Sequence, residues 1–266
     1  MNIFLRELRA GWKSLLVWCG AQYFVIFVGM MKYKSFSESG VDLEDLLSAI
    51  PKSLMTVFGI GTADLSRVEG FYSVFFPYFL LLGAIQACML GAVLIAKEER
   101  DHSADFLFAK PVTRNRVVTA KLLAGLFQAL VFNLVTLAAS VYHVEQYNTS
   151  GTSLAGRIAV MMLALFVFQV TFLAVGIAFG ANLRNARGAT AAAAGVILGT
   201  YFLSVGIDMN GKLGFLKYAT PFKYFPAQDL MSGESIAWWA LLLCAVWTAA
   251  SLACAYIRFR RRDLTV

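Results

Sequence analysis

Six long runs without a charged side chain constrain this sequence more than any other feature. The runs cover residues 14–31, 70–96, 122–144, 158–183, 188–207 and 235–257. Because about 20 helical residues cross a bilayer core about 30 Å thick, each run is long enough to span a membrane once. Hydrophobic residues make up 59% of the chain and charged residues 15%, which excludes most water-soluble folds and intrinsic disorder. The sequence predicts an all-α, polytopic membrane protein with six transmembrane helices in a single domain over residues 1–266.

The distribution of lysine and arginine predicts that both termini are cytoplasmic. Of the 23 basic residues, fifteen fall in the segments that share a side with the termini, whereas ten of the sixteen acidic residues fall on the other side. Basic residues of short loops are enriched on the cytoplasmic side of membrane proteins. Topology therefore accounts for the net charge of +7, and we expect the lipid bilayer, and no nucleic acid, as a partner.

Three segments between the runs have their own patterns. Residues 1–13 mix apolar and basic side chains, which is typical of a short interfacial helix on the inner leaflet or of a basic leader that only sets topology. Residues 32–69 show helical periodicity interrupted by Pro51, and we expect two short helices there. The aromatic-rich segment 208–234 contains two prolines and fits either a partly re-entrant turn or an interfacial belt.

Sequence patterns that carry catalysis are missing. The two histidines, His102 and His143, fall on opposite sides of the predicted membrane and cannot share a metal, and metalloprotease, serine-hydrolase and dinucleotide patterns are absent. The near-match GIDMNGKL at residues 206–213 lacks the serine or threonine of a phosphate-binding loop. We expect no catalytic, metal-binding or cofactor-binding residue on this chain. Charge-free spans also argue against a proton-driven carrier, because proton relays use ionisable groups inside the bundle.

Polar and small residues within the spans favour contacts between helices. We interpret the polar groups as bonding partners across helices, with a substrate path as the alternative. These residues are Gln22, Gln86, Gln128, Asn133, Gln169 and Thr171. The pairs Gly176/Gly180 and Gly195/Gly199 permit close helix approach and favour packing within the chain, without locating a surface for a second copy.

The stretch AKEERDHSADFLFAKPVTRNRVVTAK, residues 96–121, joins the second and third runs. Its first half suits a helix with exposed acidic residues, and Pro111 ends that helix because proline lacks an amide donor. Thr113 is placed to cap a new helix that leads into the third run. A short, charged helix at the inner membrane face is suited to docking on a soluble partner, because charges at the rim of an interface select the partner.

Five stretches carry a family resemblance over nearly the whole chain. They are EER at residues 98–100, DFLFAKPVTRNRVVTAK at 105–121, DLLSAIPKSLMTVFG at 45–59, VEGFYSVFFP at 68–77 and YIRFRRRDL at 256–264. With these stretches the sequence resembles the membrane subunit of type 2 ABC transporters, a permease family with six spans per subunit. Asp101-His102-Ser103 stands where a glycine-threonine pair is more usual in that family.

The resemblance implies a permease subunit of an ATP-driven exporter. Residues 97–111 would be a coupling helix seated in a cleft of a separate cytosolic ABC ATPase, which would hold ATP and magnesium. The implied docking residues are Glu98, Glu99, Arg100, Asp101 and Asp105. A second permease copy or a paralogue, and the inner (plasma) membrane of a prokaryote, are further implications. An intramembrane enzyme using Glu98 and Glu99, and a membrane anchor or sensor without transport, are the alternative functions.

Overall fold

The computed structural model describes residues 3–39, 55, 60, 64–100, 113–149, 151–183 and 185–261. These residues are helical for the most part, and no strand occurs among them. The α-helices are α1 (Ile3–Ser39), α2 (Val68–Arg100), α3 (Arg114–Glu145), α4 (Ala155–Asn182), α5 (Ala186–Met209), α6 (Ala227–Ser232) and α7 (Trp238–Arg261). Two 3-10 helices, Gly211–Tyr218 and Pro221–Lys223, lie between α5 and α6.

The prediction of an all-α protein with six transmembrane helices is confirmed. Within the described ranges, six helices are long and apolar enough to cross a membrane, namely α1 to α5 and α7. Each corresponds to one of the six charge-free runs, although α4 ends one residue before the end of its run and α7 begins three residues after the start of its run. Apolar stretches of this length form helices in a membrane because a helix satisfies every backbone polar group internally.

The first helix differs from the sequence prediction. The prediction of a separate interfacial helix over residues 1–13 was wrong, because α1 runs without a break from Ile3 to Ser39. The segment contains no proline, so nothing interrupts the backbone hydrogen bonds between the basic leader and the apolar run. Residues 32–39, expected in the following loop, also belong to α1. The two short helices expected over residues 32–69 fall mainly outside the described residues.

Helices α2 and α4 form the centre of the bundle. In each, 67% of the most apolar window is buried, against 28% or less in α1, α5 and α7. A Cβ added to Gly176 would lie 2.0 Å from the carbonyl oxygen of Cys88, and one added to Gly180 would lie 2.6 Å from that of Ala92. The two helices therefore meet backbone to backbone, as glycine pairs allow in membranes.

The remaining helices surround this centre. Helix α1 packs on α3, α5 packs on α2, and α7 packs on α4. Among the described residues, Gly195 and Gly199 of α5 have no heavy atom within 4 Å of an added Cβ, so this second glycine pair makes no close packing contact with them.

The turn between α3 and α4 is held by Glu145. Its carboxylate accepts hydrogen bonds from the Ser153 hydroxyl at 2.7 Å and from the backbone amides of Leu154 at 2.8 Å and Ala155 at 3.1 Å. A helix start has unpaired amides and a partial positive charge, so a carboxylate there stabilises α4. Asn148 also donates to Glu145 at 2.9 Å.

The segment after α5 turns back into the bundle. Thr220 donates to the carbonyl of Thr200 at 2.8 Å, which is nine residues, or about 13 Å, before the end of α5 at Met209. Phe222 is buried with its ring centroid 4.9 Å from that of Phe168 in α4. These contacts favour the re-entrant interpretation, because protein covers this irregular backbone.

Candidate functional site

Four spanning helices have linked ends at one end of the bundle. The starts of α1 and α3 and the ends of α2 and α7 contact one another there, and we call this the terminal end because the first helix starts and the last helix ends there. The segment 101–112 connects α2 to α3 at the same end. The contacts around this segment therefore form the candidate functional site.

Thr113 starts α3 as the sequence predicted. Its backbone is extended, with φ −73° and ψ 145°, and its hydroxyl accepts a hydrogen bond from the amide of Arg116 at 3.4 Å. This is the geometry of an N-cap residue, which pairs one of the unsatisfied amides of the first turn. The prediction of a capped helix beginning after Pro111 is confirmed.

Arg114 links the start of α3 to the end of α7. Its Nη1 atom donates to the carbonyl oxygen of Phe259 at 3.4 Å and to that of Arg260 at 3.3 Å. The last carbonyls of a helix lack intrahelical partners and carry partial negative charge, so a guanidinium suits them. One turn further along α3, the Thr119 and Tyr256 hydroxyls hydrogen-bond at 2.7 Å and join the same two helices.

A buried ion pair links α1, α2 and α3. The Nζ atom of Lys121 lies 3.9 Å from Oε1 of Glu7, and the two side chains are 1% and 0% exposed. Lys121 also donates to the carbonyl oxygen of Leu94 near the end of α2, and Arg6 lies 3.1 Å from the Glu7 carboxylate. Because desolvating a charge costs several kcal/mol, such groups stay buried only when they are paired.

The predicted docking residues lie around the connecting segment. Glu98, Glu99 and Arg100 form the last turn of α2, for which the structure describes the backbone. Asp101 and Asp105 lie outside the described residues. The docking role of all five residues stays a prediction.

The polar residues in the spans were only partly predicted correctly. Gln169 donates to Oε1 of Gln86 at 3.4 Å, joining α4 to α2, and Asn133 donates to the Met162 carbonyl at 2.9 Å, joining α3 to α4. Thr248 of α7 donates to Thr171 at 3.4 Å. By contrast, Gln22 and the Nε2 atom of Gln128 are buried without a hydrogen-bond partner among the described residues.

The opposite end of the bundle has its own ion pairs. Glu69 at the start of α2 lies 3.7 Å from Arg157 at the start of α4 and 3.3 Å from Arg67. Just before α2, the hydroxyl and amide of Ser66 donate to Asp64, and the hydroxyl contact is the main cause that lowers the pKa of the Asp64 carboxyl. Tyr224 is buried, which raises the pKa of its hydroxyl.

Histidine, cysteine, aspartate and glutamate side chains, the usual metal ligands, occur across the part of the chain that the structure describes. No group of three or more histidine, cysteine, aspartate or glutamate side chains is close enough to hold a metal there. His143 contacts the Tyr23 hydroxyl at 3.3 Å and packs against aromatic rings. His102 lies outside the described residues.

The sequence analysis did not predict the ion pair between Glu7 and Lys121. Glu7 is the only acidic residue before Glu38, and Lys121 directly precedes the third charge-free run. A lone acid in a basic leader and a lysine at the edge of an apolar run could have indicated a pair. Their separation of more than a hundred residues gave no signal that they meet.

Taken together, the six apolar helices and their linked ends define a multi-pass helical membrane protein. The sequence of the chain matches the family model of ABC-2 family transporter proteins over residues 1–264, and the chain belongs to this family. It is a membrane permease of an ABC transporter, and family membership implies association with ABC ATPase subunits. Among curated proteins, none matches the chain.

Proposed function

We propose that this chain is the permease subunit of an ATP-driven exporter and that the segment 101–112, with the last turn of α2, docks on a cytosolic ATPase. ATP and magnesium would be held by that ATPase. Glu98, Glu99, Arg100, Asp101 and Asp105 would supply the charges that select the ATPase surface. Membership in the ABC-2 family supports the proposal.

The linkage of helices around the segment 101–112 is the observation that carries the proposal. The segment joins α2 to α3, Lys121 joins both of these helices to Glu7 of α1, and Arg114 joins α3 to α7. A displacement of the segment by ATPase closure would therefore act on four of the six spanning helices. Packed helices shift as units because their interfaces are close-packed.

The terminal end would face the cytoplasm. Fifteen of the 23 lysine and arginine residues fall in segments on this side, as the positive-inside rule requires. In a prokaryote, the inner (plasma) membrane gives this end access to cytosolic ATP. Export is the direction that the family resemblance suggests.

A second permease copy or a paralogue would complete the transport path. Helices α2 and α4 meet backbone to backbone, which leaves no channel between them. Helices α1, α5 and α7 are the least buried and present apolar faces outward. A path formed between two permeases agrees with this arrangement, because such a path requires no channel through the centre of either bundle.

Charge reversal tests the docking surface directly. The chain is co-expressed with its partner ABC ATPase, and the ATPase retained on the purified permease is measured in mild detergent. We expect Glu98→Lys combined with Glu99→Lys, and Asp105→Lys alone, to weaken ATPase binding about tenfold or more, because they place like charges against the partner. ATP-dependent flux in proteoliposomes should fall in parallel.

Glu234→Lys is the matched control. Glu234 is exposed at the opposite end of the bundle, and the substitution makes the same change of charge as Asp105→Lys. We expect it to leave ATPase binding unchanged. Equal ATPase binding by all these variants would contradict the docking surface, and hydrolysis of ATP or of a covalent bond by the permease alone would contradict the proposed function.

A further inference from the structure

A cavity of about 320 Å³ lies between α1, α2 and α3, in the half of the bundle next to the terminal end. Six residues of α1, five of α2 and Gln128 of α3 line it. Its volume is within the range of small-molecule sites. Along α2 it extends from Leu94 to Gln86, which is about 12 Å at the helical rise.

The position of the cavity places it within one leaflet. Leu94 lies two residues before the end of the apolar span at Ala96, and Gln86 lies ten residues before it, or about 15 Å deep. This depth is about half of a 30 Å bilayer core. Met89, Leu90 and Val93 are only half-buried, so the cavity reaches the outer surface of the bundle at the level of the lipid chains.

Gln128 contributes a side-chain amide to the cavity lining, and the described residues leave its nitrogen without a hydrogen-bond partner. Its side chain is 2% exposed, and its Nε2 atom has no hydrogen-bond partner among the described residues. The amide lies against Gly11 of α1, where an added Cβ would be 2.7 Å from Oε1 and 2.9 Å from Nε2. A buried amide nitrogen left unpaired carries a desolvation cost, so a ligand that supplies a partner gains by binding there.

The remaining lining indicates an uncharged, amphiphilic ligand. Among the described residues, Glu7 is the one charged lining residue, and its carboxylate is already paired with Lys121 and Arg6, so neither a cation nor an anion is favoured. Leu15, Trp18 and Leu90 give the cavity apolar walls. A hydroxyl can both donate and accept, and therefore pairs with the Gln128 amide in either of its orientations.

We propose that this cavity binds a neutral, hydroxyl-bearing amphiphile from the surrounding leaflet, with its hydroxyl at Gln128 and its chain along Leu15, Trp18 and Leu90. Monoacylglycerol has this chemistry. Every residue that forms the site belongs to this chain, so binding is measured without the ATPase.

Trp18 provides a direct optical test. The full chain, with its other four tryptophans changed to phenylalanine, is placed in phosphatidylcholine nanodiscs and titrated with monoacylglycerol brominated on its chain. We expect saturable quenching of Trp18 fluorescence by the bromine atoms. Free glycerol should not displace the probe, and brominated oleate, which is anionic, should quench about tenfold less efficiently.

Two matched variants separate the site from general lipid contact. Gln128→Leu removes the amide and should weaken binding about tenfold, whereas Gln22→Leu, at another buried and unpartnered glutamine outside the cavity, should not. Leu90→Phe keeps the amide, narrows the cavity from a half-buried position and should also weaken binding, which provides a second test if Gln128→Leu fails to fold. Three results would overturn the proposal. They are quenching that rises linearly with probe concentration, quenching by brominated oleate equal to that by brominated monoacylglycerol, and quenching that is unchanged in both Gln128→Leu and Leu90→Phe.

Discussion

At the scale of single residues, the terminal end depends on charges that are fully desolvated. Glu7 and Lys121 come from helices far apart in sequence and meet at 3.9 Å with almost no exposure. Lys121 also binds a backbone carbonyl of α2, so one ammonium group contacts two other helices. A pair of this kind does little for stability relative to apolar residues, but the loss of one partner leaves an uncompensated charge.

A double-mutant cycle measures this dependence. We expect Glu7→Gln and Lys121→Met each to lower the free energy of unfolding by about 3–5 kcal/mol, and the double variant to lose less than the sum, because it leaves no unpaired charge. Equilibrium unfolding in mixed detergent micelles gives these values. The exposed pair of Lys34 and Glu38, 3.8 Å apart, is the control, and its loss should cost less than about 1 kcal/mol. Additive effects at Glu7 and Lys121 would show that the two charges do not interact.

At the scale of helices, the α2–α4 contact organises the bundle. Gly91, Gly176 and Gly180 each bring one helix backbone against the other, so the interface has no space for a side chain at these positions. Close backbone approach is a main source of helix association in membranes, where the solvent gives little hydrophobic drive. The outer helices then pack on a centre that already exists.

Substitution of glycines in different places tests this interface. Gly176→Ala would put a Cβ 2.0 Å from the Cys88 carbonyl, and α2 must move away from α4 to accept it. We expect a loss of about 1–3 kcal/mol or more in the free energy of unfolding, the usual cost of overpacking. Gly195→Ala meets open space, and we expect no loss or a gain of up to about 1 kcal/mol from helix propensity. Thermal unfolding followed by circular dichroism compares the two variants. Equal destabilisation by Gly176→Ala and Gly195→Ala would contradict the described α2–α4 packing.

At the scale of the whole molecule, the antiparallel order of the spans puts both termini and the segment 101–112 at one end. The start of α1, the end of α2, the start of α3 and the end of α7 meet there, whereas Tyr33 and Glu69 make their contacts at the opposite end. The excess of lysine and arginine predicts that the terminal end faces the cytoplasm.

Cysteine labelling in intact cells tests the assignment of sides. The four native cysteines, of which three are buried, are first changed to alanine. Ser35→Cys and Asn115→Cys then place single thiols at exposed positions of opposite ends. We expect a membrane-impermeant maleimide to label Ser35→Cys in intact cells and Asn115→Cys only after permeabilisation. The reverse pattern would place the termini outside and exclude docking of a cytosolic ATPase at the terminal end.

Local features of the fold could be predicted because their causes are local. Apolar runs of sufficient length gave the six spans, and Thr113 gave the start of α3, because a cap acts within its own first turn. The family resemblance rested on contiguous stretches and agrees with the match over residues 1–264. The five docking residues, also chosen from a contiguous stretch, stay predictions.

Contacts between distant parts of the chain were decided by the tertiary structure alone. Two glycine pairs with the same spacing occupy opposite environments, since Gly176 and Gly180 face α2 and Gly195 and Gly199 face open space. Gln86 hydrogen-bonds to Gln169, whereas the Nε2 atom of Gln128 has no partner among the described residues. The sequence determined which segments cross the membrane, because hydrophobicity and length belong to each segment. The tertiary structure decided which helix faces meet, because a side chain's partner depends on the rotation and register of another helix.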